Sequence, residues 1–314
     1  MRKSFAFLAA GLVAVAAMAQ AAPAPLTLAQ LVSAALAENP NLLAARAKWE
    51  AMGNKPAQAG ALENPMLTFR GMDLADGGDF PDANEKQYAV EQALPGFGKR
   101  GLQRKSAEQG AEAMRYEAEA MALDIALEVK ETYYGLWSAR QASNIVRDEA
   151  EVLARLETVA QTAYAAGQSD PQDVLKAQAE STMVKTRLLG LEAQIRALES
   201  KLNVLLGRAA EEPLAIAEPP ALPEMDEDAE PLRARAEHGR PEIGQAEAAL
   251  ARARIERRLI GKDFLPDYRV GVEYRTFRDD EPDMAMFMVG IDLPLWPGGA
   301  RAGSREADRM IAAS

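Results

Sequence analysis

Ten residues following the turn at Asp170 succeed one another at spacings of three and four without a break: Val174, Ala177, Ser181, Val184, Leu188, Leu191, Ile195, Leu198, Leu202 and Leu205. That spacing is the seam of a coiled coil. The stretch before the turn reads the same way through Val152, Leu156, Val159 and Ala163, and nothing from Leu102 to Ala166 breaks a helix. At 1.5 Å per residue that run reaches about 98 Å, far beyond a globular helix. The two runs, Gly101 to Arg208, fold back on each other at Ala166-Gly167-Gln168-Ser169-Asp170-Pro171. Such a hairpin must project from any compact domain, and its apolar stripe must meet other helices.

Composition supports extended helices. Alanine fills the helical runs and aromatics make up only 6% of the 314 residues, so helix backbones can pack closely over long distances. The net charge of −11 excludes the basic face that a nucleic-acid partner requires. Residues 1–21 read as a secretory signal peptide: Met1-Arg2-Lys3, an apolar run from Phe5 to Ala17, and Ala19-Gln20-Ala21 before Ala22. The chain has no cysteine, so a lipidated cysteine, disulfides and thiolate metal sites are excluded. No later apolar stretch is long enough for a transmembrane helix, so any membrane crossing must use strands.

In chain order, Thr27 to Ala37 reads as an amphipathic helix opened by a Thr27/Gln30 capping box. Asn39-Pro40 opens a second helix running towards Glu63, with a break expected at Gly53 and Pro56. Strands are expected at Met66 to Met72 and Gln87 to Leu94, with a loop from Asp73 to Glu85 between them. The exit Leu94-Pro95-Gly96-Phe97-Gly98-Lys99-Arg100-Gly101 then leads into the hairpin. Residues 208–231, with five prolines and an acidic run from Glu224 to Glu230, read as an irregular linker. His238, the only histidine, reads as a residue at the start of a helix.

After the linker the pattern starts over. Pro40 and Pro65 are answered by Pro241 and Pro266, each pair 25 residues apart and 201 residues further on. Strands follow at Tyr268 to Phe277 and Met284 to Leu293, and then a second exit, Leu293-Pro294-Leu295-Trp296-Pro297-Gly298-Gly299-Ala300-Arg301. The chain thus divides into a first repeat over 22–207, the linker 208–231 and a second repeat over 232–314. The second repeat stops before a long hairpin of its own, the expectation being a truncated copy.

The fold class that follows is mainly α with a small β part: a long antiparallel helical hairpin plus four strands. In the second strand pair Val270, Val272 and Tyr274 alternate with Arg269, Glu273 and Arg275, and Phe287, Val289, Ile291 and Leu293 with Met288, Gly290 and Asp292. This suits a transmembrane barrel wall with a wet interior. It suits equally well an antiparallel sheet with one solvated face. Four strands cannot close a barrel, so a barrel would need several copies of the chain.

Three groups stand out as candidate sites. At the hairpin tip, Gly167, Ser169, Asp170 and Asp173 suit partner contact, and equally suit making the turn, with Ser169 or Asp170 as a helix cap. Pro95, Gly96, Gly98, Pro294, Pro297 and Gly298 shape the strand-to-helix turns, where Lys99, Arg100 and Arg104 could meet lipid phosphates. Met284, Met286 and Met288 share one face of a strand. Their thioethers suit Cu(I), though flexible apolar filler is the plainer role. No resident cofactor or metal is expected, and no nucleophile, acid or base can be assembled, so the chain is not expected to be an enzyme.

Taken together, the chain resembles the TolC-type outer-membrane efflux channels from Thr27 to its last residue. The resemblance is carried by Leu28-Ala29-Gln30-Leu31-Val32-Ser33-Ala34-Ala35-Leu36-Ala37-Glu38-Asn39-Pro40, by the repeated helix-strand-strand-exit unit, and by the tip from Ala166 to Gln178. It implies a homotrimer in the outer membrane of a Gram-negative cell. Each subunit lends four strands to one barrel and its helices to a periplasmic tunnel docked to a periplasmic adaptor and an inner-membrane pump. The implied function is passive export of small solutes or metal ions as the channel of a tripartite efflux or type I secretion system. The main rival, a periplasmic adaptor, also owns a helical hairpin but would flank it with compact β domains rather than a duplicated unit. A filamentous coiled-coil scaffold leaves the strands unexplained.

Overall fold

The computed structural model describes residues 25–72, 80, 83–221, 228–278, 282–296 and 298–313. The expected signal peptide, most of the loop after Met72, and Pro297 lie outside the described residues. In chain order the elements are α1 (Leu28–Glu38), α2 (Pro40–Gly53), α3 (Lys55–Ala59), β1 (Met66–Met72), β2 (Glu85–Leu94), α4 (Lys99–Ala165), α5 (Pro171–Leu205), α6 (Ala229–Gly239), α7 (Pro241–Lys262), β3 (Asp267–Phe277), β4 (Met284–Asp292) and α8 (Gly298–Ala313). The chain falls into two compact units.

The first unit comprises residues 25–31 with Thr132–Val204 and Arg208–Pro220. The capping box forms: Thr27 N–H donates to Gln30 Oε1 (2.9 Å) and Gln30 N–H to Thr27 Oγ1 (3.4 Å). The two arms of the hairpin run antiparallel, Arg140 meeting Glu199 at 2.6 Å and Glu149 meeting Arg187 at 4.0 Å. On α5 the expected seam holds, every position from Val174 to Leu198 being buried or half-buried. On α4 it is displaced. Val152, Leu156 and Val159 are 62%, 53% and 63% exposed, while Ala139, Ser143 and Val146 are buried and Ala150, Leu153, Glu157 and Ala160 half-buried. The reason is size: the stripe turned to α5 is built largely of alanine and serine, which permit close approach, and the larger side chains form a second, uncovered stripe.

The expected irregular linker is partly ordered. Leu26 pairs in parallel with Ile216, through Leu26 N–H to Ala215 O and Ala217 N–H to Leu26 O, both 2.9 Å. Tyr133, fully buried, donates its hydroxyl to Ala217 O (2.8 Å), and Arg140 donates to Leu214 O (3.0 Å). Further along, α6 begins at Ala229, inside the segment expected to be linker and across the expected boundary at 231. Pro231 lies in the first turn of that helix, where proline is tolerated. His238 accordingly sits in the last turn of α6 rather than at a helix start.

The second unit holds residues 32–131, 205–207 and 221–313 so far as they are described. Asn39 caps α2, its Oδ1 accepting from Asn41 and Leu42 N–H (2.9 and 3.2 Å) while its Nδ2 donates to Leu205 O (2.9 Å). The break expected at Gly53 and Pro56 separates α2 from α3. The corresponding positions 201 residues on are Arg254 and Arg257, and α7 there runs unbroken for 22 residues. The same offset relates the bounds of α1 to those of α6, both helices having 11 residues. The four strands form one antiparallel sheet in the order β1-β2-β3-β4. The two repeats therefore meet in a single ribbon, β2 against β3, with Leu94 opposite Tyr268 and Glu85 opposite Phe277.

Candidate functional site

Strand alternation and register together sort the sheet into two faces. One carries the cross-strand rows Leu67, Val90, Val272, Phe287 and Phe69, Tyr88, Tyr274, Ala285. The other carries Arg70, Gln87, Arg275, Met284 and Thr68, Ala89, Glu273, Met286. On the apolar face Leu67, Phe69, Phe287 and Val289 are 62–72% exposed, whereas on the polar face Glu273 and Gln87 are 4% and 5% exposed. This inverts a soluble half-buried sheet, which hides its apolar side and wets its charges. The inversion removes the soluble-sheet alternative that the sequence left open.

The buried charges are held by one another. Arg275 bonds both Glu273 and Glu85, the latter at 3.2 Å, and Arg70 donates to Gln87 Oε1 at 3.1 Å. Nearer the exits Arg269 bonds Asp292 at 2.9 Å and reaches Glu91 at 3.5 Å. A carboxylate out of water needs such partners or it is strongly unfavourable. Met284, Met286 and Met288 lie on this polar face, opposite Arg275, Glu273 and Gly271. Among the described residues no group of three or more His, Cys, Asp or Glu could hold a metal ion, and no helix is long and apolar enough to cross a membrane.

At the end of the β2–β3 pairing the first strand-to-helix turn is pinned. Gly96 N–H donates to Asp267 Oδ1 (2.5 Å), and Lys99 Nζ lies 2.9 Å from both Asp267 oxygens and 3.3 Å from Leu265 O. A Cβ on Gly96 would stand 2.6 Å from Pro266 O, and Gly98 has φ of +85°. Glycine is needed at both places, the first for close approach and the second for its backbone angle. Pro95 lies between β2 and this turn; Pro294 and Gly298 occupy the second exit, where α8 starts.

Two of the three basic residues expected to meet lipid phosphate, Lys99 and Arg100, are engaged within the chain, while Arg104 keeps a 59% exposed side chain. Lys99 is only 8% exposed and engaged by Asp267, Arg100 donates to Gly60 O at 2.6 and 3.0 Å, and Arg104 pairs with Glu108 at 3.2 Å. The pin itself escaped sequence reasoning, because its halves lie 168 positions apart. The two glycines flanking Phe97 were its one local trace.

At the hairpin tip, Gly167 adopts φ of +72° and ends α4: Gly167 N–H bonds Tyr164 O (2.9 Å) and Gln168 N–H bonds Ala163 O (2.8 Å). This is a helix C-terminal motif closed by a left-handed glycine. Gly167, Asp170 and Asp173 are exposed. The expected side-chain cap of α5 is absent: Asp173 N–H goes to the backbone carbonyl of Asp170 (3.0 Å), and the enclosed Ser169 Oγ has no hydrogen bond. Beside the turn Tyr164 and Leu175 are 50% and 64% exposed.

Comparison with known proteins agrees with this architecture. The profile of the family described as "Outer membrane efflux protein" matches residues 31–208. The cobalt-zinc-cadmium resistance protein CzcC of Cupriavidus metallidurans is 26% identical over 302 residues, spanning 92% of this chain and 68% of that protein. The outer-membrane channel OprN superposes with a TM-score of 0.73 at 20% identity, over 91% of this chain and 69% of that one. The Campylobacter jejuni outer-membrane channel CmeC gives 0.72 at 14% identity, over 91% and 65%. The adaptor alternative is not supported: the strands form one sheet and the matched proteins are channels.

Proposed function

Since the chain belongs to the outer membrane efflux protein family, we propose that its four strands supply one third of a barrel closed by three copies. Members are outer-membrane channels of tripartite efflux systems that act as trimers with adaptor and pump partners, and they transport rather than catalyse. This chain is such a channel subunit, its strands in the outer membrane and its helices in the periplasm. The observation that carries the reading is the inverted sheet, with large apolar side chains uncovered and a paired charge network on the opposite face. The apolar face meets lipid and the polar face lines the lumen.

Divalent metal ions are the cargo class we favour. The support is the likeness to a protein named for cobalt, zinc and cadmium resistance. The lumen face also carries Glu85, Glu91, Asp267, Glu273 and Asp292 against Arg70, Arg269 and Arg275. Met284, Met286 and Met288 take the plainer role of thioether filler beside those charges. The hairpin tip, with Gly167, Ser169, Asp170 and Asp173, is the proposed adaptor contact, and exposed Tyr164 and Leu175 supply apolar area next to it.

The test compares the two faces. An arginine facing lipid costs about 2–4 kcal/mol per chain at the bilayer midplane, so Val272→Arg should prevent recovery from the outer membrane and abolish conductance in planar bilayers. Thr68→Arg, on the lumen face, should do neither. Normal insertion of Val272→Arg would overturn the assignment of the faces. Cargo is checked by the reversal potential across a zinc gradient, which should favour the cation.

A further inference from the structure

The junction between the two repeats within one chain has a counterpart between chains. Around a closed ring, the exit of the first repeat meets the second repeat through β2–β3, and the exit of the second repeat meets the first repeat of the next chain. The edge strands β4 and β1 are the copies of β2 and β3 in the repeat and, among the described residues, have no strand on their outer sides. With the exits aligned, Pro95 on Pro294, so that β4 follows β2 by 199 residues and β3 follows β1 by 201, the β2–β3 register places Ile291 opposite Phe69 and Leu293 opposite Leu67 of the next chain. That register sets apolar residues beside apolar ones, and Asp292 beside Thr68 on the lumen face. A register shifted by one residue would turn each strand's apolar face to the wrong side.

The pin does not carry across. Gly96 is replaced by Leu295, Asp267 by Met66 and Lys99, the first residue of α4, by Gly298, the first residue of α8. Leucine cannot take the place of a glycine whose Cβ would lie 2.6 Å from a carbonyl oxygen. Methionine has no carboxylate to hold a lysine. Both replacements are apolar, and in the single chain both are uncovered, Leu295 67% and Met66 57% exposed.

We propose that the junction between chains is an apolar joint, Leu295 of one chain packed on Met66 of the next, where the junction within a chain is the Lys99–Asp267–Gly96 polar pin. This rests on the trimeric channel reading above. Apolar contact is non-directional, whereas the pin fixes angles through three hydrogen bonds to one carboxylate. The ring therefore alternates stiff joints inside chains with compliant ones between them.

The chain has no cysteine, so paired cysteines report the joint without background. The full-length Leu295→Cys/Met66→Cys protein is purified in detergent, its mass is taken by light scattering, and it is oxidised mildly and run on a non-reducing gel. The expected result is a trimeric mass and a covalent ladder up to trimer, several-fold above either single variant, because a disulfide requires the two Cα atoms within about 7 Å. Phe69→Cys/Ile291→Cys is the companion pair. A trimeric mass with cross-linking at 69/291 but none at 66/295 overturns the apolar joint and leaves the trimer standing. A trimeric mass with neither cross-link overturns the joint and its register together. A monomeric mass removes the trimer reading, and the joint with it.

Discussion

Gly244 of α7 lies directly against the ring of Tyr116 on α4: a Cβ at that position would stand 2.4 Å from Tyr116 Cε1 and 2.5 Å from Cζ. The Arg115 guanidinium lies 4.1 Å above the centroid of the same ring.

Gly244→Ala therefore destabilises the sheet-bearing unit. Alanine is worth roughly 1 kcal/mol more than glycine in a helix interior, but overpacking of this kind costs about 1–3 kcal/mol. The melting temperature should fall, and Tyr116→Ala in the same chain should recover part of the loss. A variant that melts higher than the parent would show that α7 does not press on Tyr116.

Replacing Lys99 by methionine removes two of the three bonds to Asp267 and leaves Gly96 N–H as its remaining donor. Losing a charged partner of this sort costs on the order of 1–3 kcal/mol. The expected outcome is a lowered unfolding midpoint in denaturant, with a coupling energy between Lys99→Met and Asp267→Asn in a double-mutant cycle. Strict additivity of the two would contradict the pin.

Burial, and next the neighbouring Tyr134, push the Tyr133 hydroxyl above the ordinary tyrosine range. A proton held more tightly in the folded state stabilises it fully below the unfolded value near 10 and progressively less as pH rises through the folded value. Wild type should thus lose stability above about pH 10 more steeply than Tyr133→Phe. At neutral pH the phenylalanine variant should be less stable by about 1 kcal/mol, since Ala217 O loses its donor. Identical alkaline limbs in the two proteins would refute the link.

Val146 and Val152 separate the two stripes of α4. Val146 is 2% exposed and Val152 62%. Val146→Ala should cost roughly 1–3 kcal/mol of hairpin stability. Val152→Ser should leave the melt of the isolated chain within about 0.5 kcal/mol and instead lower the temperature at which the proposed trimer dissociates. Equal effects of both changes on the isolated chain would mean that the outer stripe is already covered.

What was legible in the sequence was whatever a side-chain period could carry. Strict alternation gave β1 its observed bounds and the other strands to within two residues, and large aliphatic residues at three-four spacing located the α5 seam. The α4 seam was misplaced because the close-packed side is written in alanine and serine, which a hydrophobic pattern undercounts. Helix α6 was hidden by Pro231 and the acidic run before it, although the repeat offset from Leu28 points to Ala229. Contacts such as Tyr133 with Ala217, or Gly244 with Tyr116, follow from no local pattern. Of the candidate site, the turn-forming role of Gly167, Gly96 and Gly98 was readable, whereas the partner of Lys99 was not.

A ribbon whose greasy side is bare and whose charges are paired with one another has a consequence for how the protein is made. Its helices can finish in the aqueous compartment. The ribbon cannot: until its neighbours and a bilayer are at hand, Phe69, Phe287 and Val289 would seek the nearest oily surface. The strands therefore reach favourable surroundings only when a bilayer or neighbouring apolar surface covers that side.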